Sequence, residues 1–358
     1  MKRVAKVFLF TGLFCCLFSY INKVFMVKLL DQPWDNYYKT VGFYEEPKDS
    51  MDVIFFGSSV SFCDINPMEI WKEYGIPSYN FANGAQRIQI SEYYLKEALQ
   101  RQKPKVAVLE VSIFSETIDL AEVDTVLIWN LAAMPFSVHK LELIWNYVKP
   151  AERLDAIFPI TFYHTRWKEL NQKDYEIAVE KSGRNVYKGG STAFSEGGRE
   201  IWESQANRKV EELDYKKRDG STISDVTKKH LIRFIQLAKE NGCSVVLVKN
   251  PQIGDWSQDF SDSIRMVAQE NGAEFWDFAD PAQIPLDLDQ QYMDGSHMNY
   301  WGSKEYSKII GGKLCEEFGL ENKQNDKKYQ YWHEDCAKYE QLVRGAQEAY
   351  RQGQQNEN

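Results

Sequence analysis

The chain has 358 residues and a formal net charge of −9, and its 43% hydrophobic and 27% charged content belongs to a globular protein rather than a disordered one. A pI near 5.3 argues against nucleic acid as a partner, because phosphate binding needs a basic face. The length suits one large domain with an insertion, or two small ones, with enough core to need neither disulfide nor metal.

Lys2, Arg3 and Lys6 precede an apolar run over residues 7–21; Asn22 and Lys23 interrupt it, and residues 24–27 resume it. With Lys23 snorkelling, the run approaches the ~20 residues that span a bilayer. The basic flank places the N-terminus in the cytoplasm and the rest of the chain outside. A cleaved signal peptide and a buried helix of a soluble fold are the alternatives. No A-x-A-like site follows the run, so residues 1–30 are expected to be an uncleaved, single-pass membrane anchor. Cys15 and Cys16 lie inside it, as candidates for acylation or simply as small apolar residues. Cys63, Cys243, Cys315 and Cys336 form no C-x-x-C pair and no metal spacing, and Asp287, Asp289 and Asp294 lack an EF-hand spacing. No metal and no cofactor is expected, and disulfides are permitted but not required.

Further along, short apolar runs alternate with helical patterns. Strands are expected at 52–56, 78–82, 105–111, 244–249 and 273–278. Helices are expected at 67–74, with Pro67 at the first position, and at 91–101. A third runs from the N-capping Ser224 and Asp225 to the Asn241-Gly242 stop, a fourth covers 261–270, and a fifth covers 300–318. This alternation implies an α/β fold, a five-stranded parallel sheet with helices on both faces. Residues 123–220 break the rhythm with helical runs bearing Trp129, Trp145 and Trp167, then a glycine-bearing stretch at 188–196. They read as a mainly helical insertion capping a domain that spans 50–320. Residues 321–358 read as a polar helical tail of low complexity at its end.

Two segments carry chemistry. Gly57-Ser58-Ser59-Val60-Ser61 follows the first strand, and in an open parallel sheet ligands bind beyond the carboxyl ends of strands. A serine on such a turn is exposed, and the backbone N–H groups beside it can hold an oxyanion. Asp294-Gly295-Ser296-His297 precedes the last helix, and its D-x-x-H spacing lets a carboxylate orient an imidazole that takes a serine proton. Each segment alone is also an ordinary turn; together, at opposite ends of one five-strand pattern, they point to catalysis.

On these residues the chain resembles the SGNH, or GDSL-type, serine hydrolase superfamily. The resemblance covers about 50–120 and 225–318 and implies a three-layer, flavodoxin-like fold. Gly57-Ser58-Ser59 matches the first block, which makes Ser59 the implied nucleophile, with Ser58 standing where Asp is common. Asp294 and His297 match the last block as orienter and base. Tyr79-Asn80-Phe81-Ala82-Asn83-Gly84 resembles the second block, implying oxyanion donors at Gly84 and Ser59. The third block, Gly-x-Asn-Asp, has no counterpart: after the third strand the chain reads Glu110-Val111-Ser112-Ile113-Phe114, which leaves Ser112 or Asn83 to replace its asparagine donor. An anchor followed by a strand ending in Gly-Ser-Ser is similar to the membrane-anchored branch, which includes D-alanyl-lipoteichoic acid biosynthesis proteins and partners of membrane-bound O-acyltransferases. The implied activity is acyl transfer to or from a cell-surface glycan or polymer, on the extracellular side of the cell membrane.

Outside the blocks, His164, Arg166 and Trp167 are candidates for binding a substrate carboxylate, phosphate or sugar, and equally for a helix end with a paired arginine and a core tryptophan. Asn250 is expected either to line the pocket or to end a strand. His139, His230 and His333 are expected at the surface. Two rival readings remain: a catalytically degenerate glycan-binding or assembly protein, and a partner subunit acting through its anchor helix.

Overall fold

A computed structural model describes residues 2–30, 32–115, 125–132 and 134–357; the expected start of the insertion, Val123, lies outside them. Five strands, β1 (Val53–Phe56), β2 (Ser78–Asn80), β3 (Val106–Glu110), β4 (Ser244–Lys249) and β5 (Glu274–Asp277), form one sheet. All pairings are parallel and the order is β2-β1-β3-β4-β5. This is the doubly wound α/β arrangement read from the sequence, with the order of a flavodoxin-like sheet. Val53 sits opposite Ser78 on one side and Val106 on the other, and Val106 sits opposite Ser244.

Side chains alternate between two cores, as a pleated strand requires. Ile54, Phe56, Ala107, Leu109, Val245 and Leu247 pack towards the helices Ile88–Arg101 and Asp225–Glu240. Val53, Phe55, Val106, Val108, Val246 and Val248 pack towards Pro67–Tyr74 and Tyr300–Phe318. Because both faces are covered, β1 and β3 are buried along their whole length, which explains the apolar runs Val53–Phe56 and Val106–Leu109. The helix ends follow local chemistry. Ser224 accepts from the Thr227 N–H and Asn299 from the Gly302 N–H, while Gly272 closes its helix at φ +66°. The helix expected over 261–270 is longer, Gln258–Asn271, because Ser257 caps it earlier.

In three regions the structure adds to the sequence reading. A short helix, Tyr37–Tyr44, follows the anchor and buries Lys39, Thr40 and Phe43. The glycine-bearing stretch at 188–196 threads along the sheet edge: the Asn80 N–H donates to the Lys188 carbonyl at 2.8 Å. A Cβ on Gly189 would lie 1.9 Å from the Asn80 oxygen, so only glycine permits this approach. The tail is a docked helix, Gln330–Glu357. Its Trp332 meets Trp71 at 4.9 Å, and Lys188 bonds both Glu46 and Asp335 at 2.7 Å in full burial. The polarity of that segment in sequence belongs to its outer face.

His230 is also buried, not at the surface. Its ring bonds the Glu92 carboxylate and the Tyr147 hydroxyl, because the helix carrying it packs against Ile88–Arg101. All six cysteines are free.

The helix Lys2–Phe25 contains a stretch, Arg3–Phe25, long and apolar enough to cross a membrane. Val7, Phe8, Phe10, Leu13 and Leu17 on it are exposed.

Candidate active site

β1 ends at Gly57, whose φ of +132° only glycine adopts readily, and a Cβ there would lie 2.9 Å from that of Glu110. The chain turns sharply into a short helix, Ser59–Asp64, with Ser58 as N-cap. The turn leaves Ser59 half-buried beyond the carboxyl edge of the sheet, between β1's two neighbours, where the strand order reverses.

The loop before the last helix brings the second segment to the same point. His297 Nε2 lies 2.8 Å from Ser59 Oγ, and His297 Nδ1 lies 2.9 Å from Asp294 Oδ2. The backbone N–H groups of Ser296 and His297 both donate to Asp294 Oδ1. Burial pushes the Asp294 carboxyl up, but the His297 hydrogen bond and charge with those two N–H groups outweigh it and hold the group below the usual carboxylate range. The three residues form one continuous chain from carboxylate to hydroxyl. An ionised Asp294 favours the tautomer with hydrogen on Nδ1, which leaves Nε2 free to accept from Ser59.

The helix that starts with Ser59 ends with Asp64, and Asp64 ties the two segments together. Its Oδ1 accepts from the Met298 N–H at 2.9 Å and its Oδ2 from Asn250 Nδ2 at 3.1 Å. Burial drives this carboxyl well above its ordinary range, against those hydrogen bonds. Asn250 also accepts from the Tyr306 hydroxyl and is wholly buried. It braces the floor beneath the site instead of lining a pocket.

The expected oxyanion donors divide. Among the described residues the Ser59 N–H has no acceptor and remains available. The Gly84 N–H donates to Asn36 Oδ1 at 3.2 Å. The Asn83 amide group is spent on Thr40 and the Tyr94 hydroxyl, and Asn83 is buried. The Ser112 N–H and hydroxyl both donate to the buried Glu110 carboxylate. Neither Asn83 nor Ser112 therefore presents a side-chain donor as the missing third-block asparagine would.

His164, Arg166 and Trp167 make their contacts elsewhere. Arg166 donates to the Phe25 carbonyl at 2.6 Å and to Asp174 at 3.1 Å, closing the end of the N-terminal helix. His164 bonds the Thr161 carbonyl, and Trp167 is exposed rather than in the core.

The ring beside His297 comes from a segment the sequence reading passed over. Trp34 meets the imidazole edge-on at 5.2 Å and Phe62 at 6.3 Å, and is itself 41% exposed. Lys39 Nζ lies 3.2 Å above the Phe62 ring and donates to the same Asn36 oxygen. Burial pushes Lys39 down to about 7, against the attraction of Asp35. The only sequence signal for this segment was its density of aromatic and polar residues between anchor and first strand. No ligand-type cluster of His, Cys, Asp and Glu occurs among the described residues.

No family model matches the chain, and no curated protein does. The chain is similar to a solved structure described as a candidate acylhydrolase from Bacteroides fragilis, at 13% identity over 78% of this chain and 95% of that one, with a TM-score of 0.37. A second, described as a candidate lipolytic protein of the G-D-S-L family from Desulfitobacterium hafniense, aligns at 11% identity over 73% of this chain and 97% of that one, with a TM-score of 0.33. The reading of the fold rests on the strand order, and that of the site on its geometry.

Proposed function

We propose that this chain is an SGNH-type serine esterase or O-acyltransferase, tethered to the cell membrane and acting outside it on acyl esters of a surface glycan or polymer. The observation that carries this reading is the unbroken hydrogen-bond chain from Asp294 through His297 to Ser59 at the switch point of the sheet. Ser59 Oγ attacks the ester carbonyl as His297 Nε2 takes its proton. The Ser59 N–H holds the oxyanion, joined by the Gly84 N–H once substrate oxygen displaces Asn36 Oδ1. Collapse returns the proton from His297 to the leaving alkoxide. The acyl-enzyme then passes to water or to a sugar hydroxyl, with His297 again as base.

The tether draws support from the packing at its outer end. The Ile160 N–H donates to Asn22 Oδ1, Arg166 closes the Phe25 carbonyl, and Phe18 meets Phe158 edge-on at 5.1 Å. Cleavage after these residues would remove partners the insertion uses. The proposed partner is a membrane-bound O-acyltransferase, as donor of the acyl group.

The degenerate glycan-binding reading has its own support, since the Gly84 donor is occupied and Asn83 and Ser112 are committed elsewhere. A fluorophosphonate serine probe on the full chain in detergent separates the two. Labelling that Ser59→Ala and His297→Ala both abolish is the expected result. No labelling of folded wild type would refute the enzyme reading in favour of the binding one.

A further inference from the structure

Beside the contacts at Phe18, Asn22 and Phe25, the outer half of the N-terminal helix and the insertion leave a gap. Between them, and against the helix Tyr37–Tyr44, runs a cleft of about 660 Å³ whose walls include Phe18, Met26, Val41, Met134 and Phe158. That volume lies within the range of small-molecule sites, ~300–1,000 Å³. Its contacts run from Cys15 on the N-terminal helix to Met26 just beyond the helix end at Phe25. Eleven residues of helix rise about 16 Å, close to half of a ~30 Å hydrocarbon core. In a helix spanning Arg3–Phe25, Cys15 falls near the midplane, so the cleft occupies the depth of the outer leaflet.

One polar side chain stands out in this wall. Lys140 is 5% exposed, is attracted by the buried Glu97 carboxylate without forming an ion pair with it, and has only a long 3.5 Å contact with the Met134 carbonyl. A buried ammonium with no anion in direct contact is costly, and an anion arriving beside it relieves that cost. Lys23, at the outer end of the spanning helix, lines the same cleft. Phe136 at the wall is 70% exposed, and Trp145 and Leu154 on the same insertion are 69% and 61% exposed. Exposed apolar groups of this size suit contact with a bilayer.

We propose that this cleft holds an acyl chain of an outer-leaflet lipid, with the lipid's anionic head group at Lys140. The proposal rests on the membrane tether argued above and not on the chemistry of Ser59. A cleft at this depth is bordered by lipid on its open side. An apolar wall that also carries Lys23 and Lys140 complements an anionic amphiphile.

The test uses the full chain in phosphatidylcholine nanodiscs doped with phosphatidylglycerol carrying a diazirine on its acyl chain. Photolabelled peptides are mapped by mass spectrometry. Label is expected to concentrate on peptides holding Met134–Lys140 and Ile157–Phe158, above the outward-facing Phe8–Leu13. Lys140→Gln should lower it about ten-fold, the loss expected for one charged hydrogen bond, while Lys140→Arg retains it. The matching phosphatidylcholine probe should be insensitive to Lys140→Gln. Ala132→Trp, which fills the wall, should reduce labelling by both probes. Ser59→Ala should label as wild type, so loss of the enzyme reading leaves this result standing. Label spread evenly along the helix, or indifferent to Lys140→Gln in a folded variant, would overturn the proposal.

Discussion

At the scale of single residues, the site depends on one carboxylate held ionised and one held in place. Asp294 stays below the ordinary carboxylate range because the imidazole and two N–H groups outweigh its burial. Asp294→Asn removes the charge that favours the reactive tautomer, and kcat on an activated acyl ester should fall on the order of 10³–10⁴-fold with KM little changed. The same group links stability to pH. Its folded value lies below its unfolded value of about 3.9, so its contribution is present above about pH 4 and fades as pH falls through the folded value. The stability gap between wild type and Asp294→Asn should narrow over that acid range in unfolding curves. Asp64 acts through position, since it touches Met298 and Asn250 but not Ser59. Asp64→Leu frees the His297 loop and should cost about 10² in kcat at near-constant KM, with Asp64→Asn restoring much of it. Equal losses in both variants would show that the tie to the loop is not what matters.

At the scale of elements, the C-terminal helix is held by a buried charge cluster as well as by aromatic packing. Lys188 Nζ sits between Glu46 and Asp335 at 2.7 Å each, and Arg184 makes a fork to Asp335 at 3.0 and 3.1 Å. Burial pushes Glu46 up against the pull of Lys188, while Arg184 and Lys188 overcome the burial of Asp335 and hold it low. Lys188→Met leaves two carboxylates in a dry site and should destabilise the fold by about 3–5 kcal/mol, read as an earlier denaturant midpoint. An unchanged midpoint would mean that water reaches the cluster. The cluster joins the end of the Tyr37–Tyr44 segment, the sheet-edge stretch and the tail, three pieces that no single stretch of sequence connects.

At the scale of the whole molecule, the helical first part of the insertion belongs with the N-terminal helix, whereas residues 191–198 pack on the Ser59 helix and on the loop that carries His297. Its helices bond Asn22 and Phe25 and stack on Phe18, while the ring beside His297 comes from Trp34. Removing residues 1–30 takes these partners away and leaves the central sheet intact. Hydrogen exchange on the truncated chain should show lost protection over 159–179, with β1, β3 and β4 unchanged and fluorophosphonate labelling retained. Uniform protection would show that the insertion folds without the helix.

Features encoded by near neighbours in the chain were readable without the fold. Apolar runs set the five strands, Ser224 and Asn299 set helix starts, and Gly57 with its two serines set the turn. These depend on backbone preference and on burial of both sheet faces, which act over a few residues. Ser59, Asp294 and His297 were legible because a strand-ending serine and a D-x-x-H turn are local patterns. Their 2.8 Å contact across 238 positions is a tertiary result. Only the fold decided which polar groups were already spent: Asn83 on Tyr94, Ser112 on Glu110, Asn250 on Asp64, Arg166 on Phe25. A side chain's hydrogen-bonding capacity is finite, and the partner that consumes it comes from a distant segment that periodicity and spacing do not report. Trp34, Asn36 and Lys140 stayed hidden for the same reason, since each takes its meaning from what the fold places beside it.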